Sequence, residues 1–210
     1  MQPMNDQEHR FTEADLEPSP EERRADKKAL IDRVAATLGV LAAGTWGGGQ
    51  LALGVCAAPM VFRMTPAPFS GEAMGAAFAR FDQIALGAAV VLLGVEVVRT
   101  WAGGHRSRTR AARARRFVAM LLGGTAAFMG LTLTPRINEL HQSGARRGEG
   151  SQGAELERLH HQAERVGQLE LLLTTTAIAL HVFTLAGRRD EEDDEDEALS
   201  PLPPGPRGAA

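Results

Sequence analysis

Hydrophobic and charged positions fall into separate blocks along this chain. Residues 34–62 are 29 in a row without a charge, closed at the two ends by Arg33 and Arg63. A helix rises about 1.5 Å per residue, so this stretch exceeds the roughly 30 Å hydrocarbon thickness of a bilayer and can cross it with tilt. Residues 117–134 supply 18 more uncharged positions and residues 171–187 another 17, extended outward by 166–170. A fourth stretch, 81–101, is interrupted by Asp82 and Glu96. Those charges sit toward opposite ends of it, where side chains reach the interface, and Glu96 has Arg99 three residues on, a spacing that pairs on a helix face. The pattern predicts an all-α integral membrane four-helix bundle. Its spans are expected at about 34–62, 81–101, 117–134 and 168–187, inside a membrane domain covering 31–187.

Composition changes the picture only through its distribution. The 210 residues are 44% hydrophobic, with 26 acidic against 23 basic side chains, an average that resembles a soluble domain. The charges, however, lie in the two ends and two loops. Residues 1–30 and 188–210 are rich in charge and proline and too poor in apolar surface to order themselves, so both are expected as disordered tails, the second with an acidic run at 190–197. About thirty polar residues precede the first apolar block, which is too long for a signal-peptide core and reads as a retained anchor. Arg outnumbers Lys 21 to two, a usage of GC-rich bacterial genomes, and the single Cys56 allows no disulfide within the chain.

Charge also sets orientation. Residues 99–116 carry seven Arg and no acid, and positive charge near span ends concentrates on the cytoplasmic side. This loop and both termini are therefore expected in the cytoplasm of a cell whose inner membrane holds the bundle. The Arg-rich loop needs no nucleic acid to explain it; contact with anionic lipid suits it better.

Within the spans, small residues recur at helical spacing: Gly44, Gly48, Ala52 and Cys56 in the first, Ala119, Gly123 and Ala127 in the third. Such stripes let helices approach closely, within one bundle or across a homodimer. Gly47-Gly48-Gly49 beside Gln50 is expected to serve a tight helix crossing, a kink or local unwinding near mid-membrane being the alternative.

The third and fourth helices are expected to extend outward as a helical hairpin. TPRINELHQ carries span three past Pro135, GARRGEGSQG breaks the chain, and AELERLHHQAERVGQLELLL runs into span four with Leu156, Leu159, Ala163 and Val166 on one face. Polar groups gather on this side: Arg63, Arg80, Asp82, Arg136, Asn138, Glu139, His141, His160, His161 and Glu164. They read either as ion-paired anchors or as a site for an anion or metal. Asp82 and Glu96, about 21 Å apart along one helix, are candidate intramembrane carboxylates, and His181 is an intramembrane histidine expected to hydrogen-bond a neighbouring span. Glu157-x-x-His160 is a weak metal-ligand pair. Its counterpart Glu139-x-His141 has the wrong spacing for a bundle di-metal site, and His181 has no second mid-membrane histidine for bis-histidine haem. No cofactor is expected, and no phosphate loop, nucleophile elbow or paired-cysteine motif signals an enzyme.

GVCAAPMVFRM, GEAMGAAFARFDQI, TPRINEL and LERLHHQAERVGQLELLL together resemble the bacterial members of the transmembrane-protein-205-like family, domain of unknown function 4149. The matching positions are Ala58, Pro59, Phe62, Gly71, Gly75, Phe78, Pro135, Leu159 and His160, whereas Leu156, Ala163 and Gly167 stand where the family often has Phe, Ser and Asn. The resemblance covers about 34–187 and implies a multi-pass membrane protein with at most a role in solute or metal handling. The residues leave three classes open: a non-enzymatic solute-binding bundle, an interaction protein acting through its Arg-rich loop and tails, and a metal or haem enzyme.

Overall fold

The computed structural model describes the backbone of residues 18–66, 69–103 and 107–199, and side chains as far as residue 185. It is helical, with no strand among the described residues: α1 (Pro20–Leu51), a π-helical segment (Ala52–Ala57), α2 (Ala58–Met64), α3 (Phe69–Gly103), α4 (Arg110–Phe128), a second π-helical segment (Met129–Leu133), α5 (Thr134–Gln142) and α6 (Gly150–Leu199). Four of the resulting rods are long and apolar enough to cross a membrane, which is the expected architecture.

The first helix starts earlier than the charge pattern predicts. Ser19 caps it: the Ser19 hydroxyl accepts from the Glu22 N–H at 3.2 Å, the Glu22 carboxylate accepts from the Ser19 N–H, and Pro20 fills the first turn. Residues 20–30, expected in a disordered tail, are therefore helical. Serine, proline and glutamate at 19–22 carry that signal in the sequence. At the other end the α6 backbone likewise continues past 187 to Leu199, because lengthening a rigid helix avoids the cost of nucleating a new one. The remainder of each expected tail, residues 1–17 and 200–210, lies outside the described residues.

Both π-helical segments end shortly before a proline, Pro59 or Pro135. Proline lacks an N–H, and its ring pushes on the carbonyl four residues back, Val55 or Leu131, so each helix widens there and then continues. Gly47-Gly48-Gly49 stays α-helical, as the expected tight helix crossing requires, and the alternative of a kink there is not seen. Gly47 and Gly49 serve the close packing: a Cβ at Gly47 would lie 2.8 Å from Thr174 Oγ1, and one at Gly49 2.5 Å from the Phe81 ring.

Packing is cyclic. α1 touches α3 and α6, α4 touches α3 and α6, and an alanine-rich core of Ala43, Ala85, Ala88, Ala89, Leu92, Leu122, Ala126 and Ala177 fills the middle. The packed stripe of α1 is Gly39, Ala43 and Gly47, whereas Gly44, Gly48, Ala52 and Cys56 face outward. That turns the expected stripe by one residue, about 100°, away from the bundle. In the third span Ala119 is buried and Gly123 meets Leu93, as the spacing predicts. At the hairpin end Leu133 and Leu140 pack on Leu156 and Leu159, with Ile137, Ala163 and Val166 against them. Gly144 and Gly148, both near φ +80°, turn the chain between α5 and α6.

The outside is apolar. Leu41, Val55, Val90, Val97, Leu131, Leu172 and Phe183 are each at least 60% exposed, while Asp32, Glu96, Arg99, Arg115, Glu170 and His181 are buried. Water would reverse that arrangement, and a bilayer favours it.

Candidate functional site

The buried polar side chains form two layers, one at each end of the bundle. At the end carrying the α3–α4 turn, every span contributes. Arg99 of α3 binds Asp32 of α1 through two bonds, Nε to Oδ1 at 3.1 Å and Nη2 to Oδ2 at 3.3 Å. Arg115 of α4 donates from Nε to Glu96 Oε1 at 2.6 Å and from Nη1 to the Thr184 hydroxyl of α6 at 2.9 Å. His181 of α6 sits between the pairs. Arg99 Nη1 is 2.9 Å from its Nδ1, and because a guanidinium only donates, Nδ1 accepts and the ring is the neutral Nε2–H tautomer. That Nε2 faces Glu96 Oε1 at 3.7 Å. Gly39 makes room for the imidazole, since a Cβ there would lie 2.5 Å from its Cε1.

The layer holds two carboxylates and two guanidiniums, so its formal charge is zero with His181 neutral. Its multiple charge-assisted bonds offset the desolvation that makes buried ions costly. The expected pairing of Glu96 with Arg99 is replaced: each takes its main partner from another helix, because both side chains point into the bundle where α1 and α4 present the opposite charge. His181 does bond a neighbouring span, as expected. Asp32, Arg115 and Thr184 were not singled out by sequence; Asp32 reads as a flanking charge before the first apolar block and Arg115 as one of seven loop arginines.

The second layer lies toward the hairpin end, about 17 Å from the first along α6 as counted from Glu170 to His181. Glu170 is 3% exposed. Gln50 Nε2 of α1 donates to the Gly167 carbonyl at 2.9 Å and stands 3.5 Å from Glu170 Oε2. Trp46 of α1, Thr125 of α4 and Asp82 of α3 also face the Glu170 carboxyl. Asp82 is half-buried and accepts a short bond from the Thr134 hydroxyl of α5. Unlike the first layer, this one contains no basic side chain among these groups; Trp46 Nε1, Gln50 Oε1 and Glu170 Oε1 have no hydrogen-bond partner among the described residues, where the first layer leaves only Glu96 Oε2 in that state. The alanine-rich core closes the space between the layers. Asp82 and Glu96, the expected intramembrane carboxylates, thus belong one to each layer. Glu170, which the sequence shows only as the outward extension of span four, is the more buried acid of the second.

The predicted outer cluster does not close into one site. Arg136 binds Glu139 at 2.7 Å and Glu155 at 3.0 Å, an exposed pair of bridges, and Arg80 donates to its neighbour Gln83 at 2.8 Å. Arg63 is exposed at the end of α2, Asn138 is half-buried opposite Gly75, and Glu164 meets His161 at 3.8 Å on the surface of α6. Glu157 is exposed, one turn from half-buried His160. The rings of His141 and His160 meet edge to face with centroids 5.6 Å apart. His160, eight residues before span four, is held down to about 4, first by burial and then by the charges of Arg147, His141 and His161. Among the described residues no three His, Cys, Asp or Glu side chains gather closely enough to hold a metal ion. The motif residues Pro59, Phe62, Gly71 and Pro135 are exposed, and Gly75 and Phe78 half-buried.

A family model, domain of unknown function (DUF4149), matches residues 41–146, half of the chain, and the chain belongs to that family. The match takes in α3, α4 and α5 and the greater part of the first span, and stops before α6 begins. No curated protein and no solved structure matches the chain.

Proposed function

For this member of the DUF4149 family we propose a non-enzymatic role: binding a small solute from the hairpin side of the bundle and helping it into or across the membrane. The observation that carries this reading is the contrast between the two buried layers. Ionisable groups inside a membrane are expensive and tend to mark solute or ion pathways. The layer of Asp32, Glu96, Arg99 and Arg115 is electrically balanced, each carboxylate paired with an arginine of another helix although Glu96 Oε2 is left without a partner, which suits a lock that holds four helices together. The layer of Glu170, Asp82 and Gln50 has no basic side chain to pair with its acids among the described residues, and it leaves two acceptors, Gln50 Oε1 and Glu170 Oε1, and one donor, Trp46 Nε1, without partners, which suits a place where a guest arrives. Hard oxygen donors of this kind favour a cation or a group that donates hydrogen bonds.

The orientation that fits places the α3–α4 turn and both termini in the cytoplasm of a bacterial inner membrane and the hairpin outside. Arg99 and Arg115 are internal and do not count toward the loop's charge, yet Arg108, Arg110 and Arg113 remain exposed there without a neighbouring acid in the loop sequence. The same three arginines support contact with anionic lipid, each worth roughly 1 kcal/mol near such a surface.

Purified chain in liposomes tests the reading by the flux of protons, sodium, potassium and a divalent metal, measured in turn against protein-free vesicles. At least one flux is expected to exceed the protein-free rate and to lose that excess in Asp82→Asn and Glu170→Gln. An excess that survives both substitutions, or no excess at all, contradicts it.

A further inference from the structure

Resting on that reading of the hairpin-side layer, we propose that Glu170 and Asp82 form a proton-binding site, in which Glu170 holds the proton and Asp82 the charge. The geometry argues it in three steps. Glu170 is 3% exposed, and its Oε1 has no partner among the described residues. An ionised carboxylate accepts only; Gln50 Nε2 donates to Glu170 Oε2 at 3.5 Å and Trp46 Nε1 is a donor without a partner, while Gln50 Oε1 is a second orphaned acceptor. A proton on Glu170 supplies the donor that Gln50 Oε1 lacks.

Charge gives the same answer. The groups facing Glu170 from the packed helices are Trp46 and Gln50 on α1, Asp82 on α3 and Thr125 on α4, and of these Asp82 is the one that carries a charge among the described residues. Two carboxylates in apolar surroundings with no cation between them do not both ionise. The proton goes to the more buried acid, Glu170, because burial penalises its charge more than that of half-buried Asp82, which also keeps a short bond from the Thr134 hydroxyl. The α3–α4 layer shows the contrast: there each carboxylate has an arginine.

Infrared spectroscopy of the full chain in lipid, titrated with pH, reads this directly. A protonated-acid C=O band is expected at neutral pH, absent in Glu170→Gln and displaced in frequency in Glu170→Asp. Asp82→Asn removes the neighbouring charge, so Glu170 should lose its proton at a tenfold or more higher proton concentration than in the wild type. No acid band in the wild type, or one that both Glu170 variants leave untouched, overturns the assignment, and an unmoved titration in Asp82→Asn overturns the sharing. A band with these properties in a chain that moves no ion keeps the proton site and removes the transport reading; ion flux without the band does the reverse.

Discussion

Glu96 and Arg99 are one turn apart on α3, and each reaches across to another helix for its main partner. Spacing along one helix identifies which residues share a face; it says nothing about what the next helix presents to that face. This is why sequence found Glu96 and His181 but passed over Asp32 and Arg115, whose roles exist only once four helices are assembled. Glu170 was hidden for a related reason. At the edge of an apolar stretch an acid reads as an interface anchor, and only the packing of Trp46 and Gln50 over it shows that it points inward. The difference between buried and exposed pairs is measurable at this scale. Arg115→Ala leaves the Glu96 carboxylate buried without its cation and is expected to cost about 3–5 kcal/mol. Arg136→Ala breaks two exposed bridges and is expected to leave the thermal midpoint in detergent unmoved. Equal midpoints for both variants would contradict the account of the α3–α4 layer.

At the scale of elements, apolar run length located all four spans but not where the helices begin and end. The capping box at Ser19 and Glu22 is a local signal that the charge blocks obscured. The sequence carried span three past Pro135, as the structure has it, but the effect of the two prolines, a widened π-helical segment just before each, was not legible in it. The hairpin was legible because its leucines keep helical spacing beyond the membrane. His160 gives it a pH dependence. His160 has its pKa lowered to about 4 by burial and neighbouring positive charge, against an ordinary value near 6.5, so the open hairpin binds the proton more readily than the closed one. Stability is therefore fully present above about 6.5 and is lost as pH falls toward 4. Hydrogen exchange across residues 134–166, corrected for the intrinsic rate, should rise relative to the rest of the bundle between pH 7 and pH 5, and His160→Phe should abolish the rise. A rise that persists in His160→Phe assigns it to another group.

For the whole molecule, the distribution of side chains is inverted relative to a water-soluble bundle, with charge inside and leucine, valine and phenylalanine outside. Two buried polar layers are separated by a small-residue core: one pairs its acids with arginines across the helices, the other, on the side of the hairpin, has no arginine among the described residues for its acids, and under the proposed function the first holds register and the second binds. That division is the central claim, and it predicts that function and stability separate by layer. Ion flux per incorporated molecule in Glu170→Gln liposomes tests it most directly, with the exposed Glu139→Gln variant as the control. The account predicts that Glu170→Gln keeps the wild-type thermal midpoint and falls to the protein-free rate while Glu139→Gln retains the flux. Wild-type flux in Glu170→Gln would contradict it.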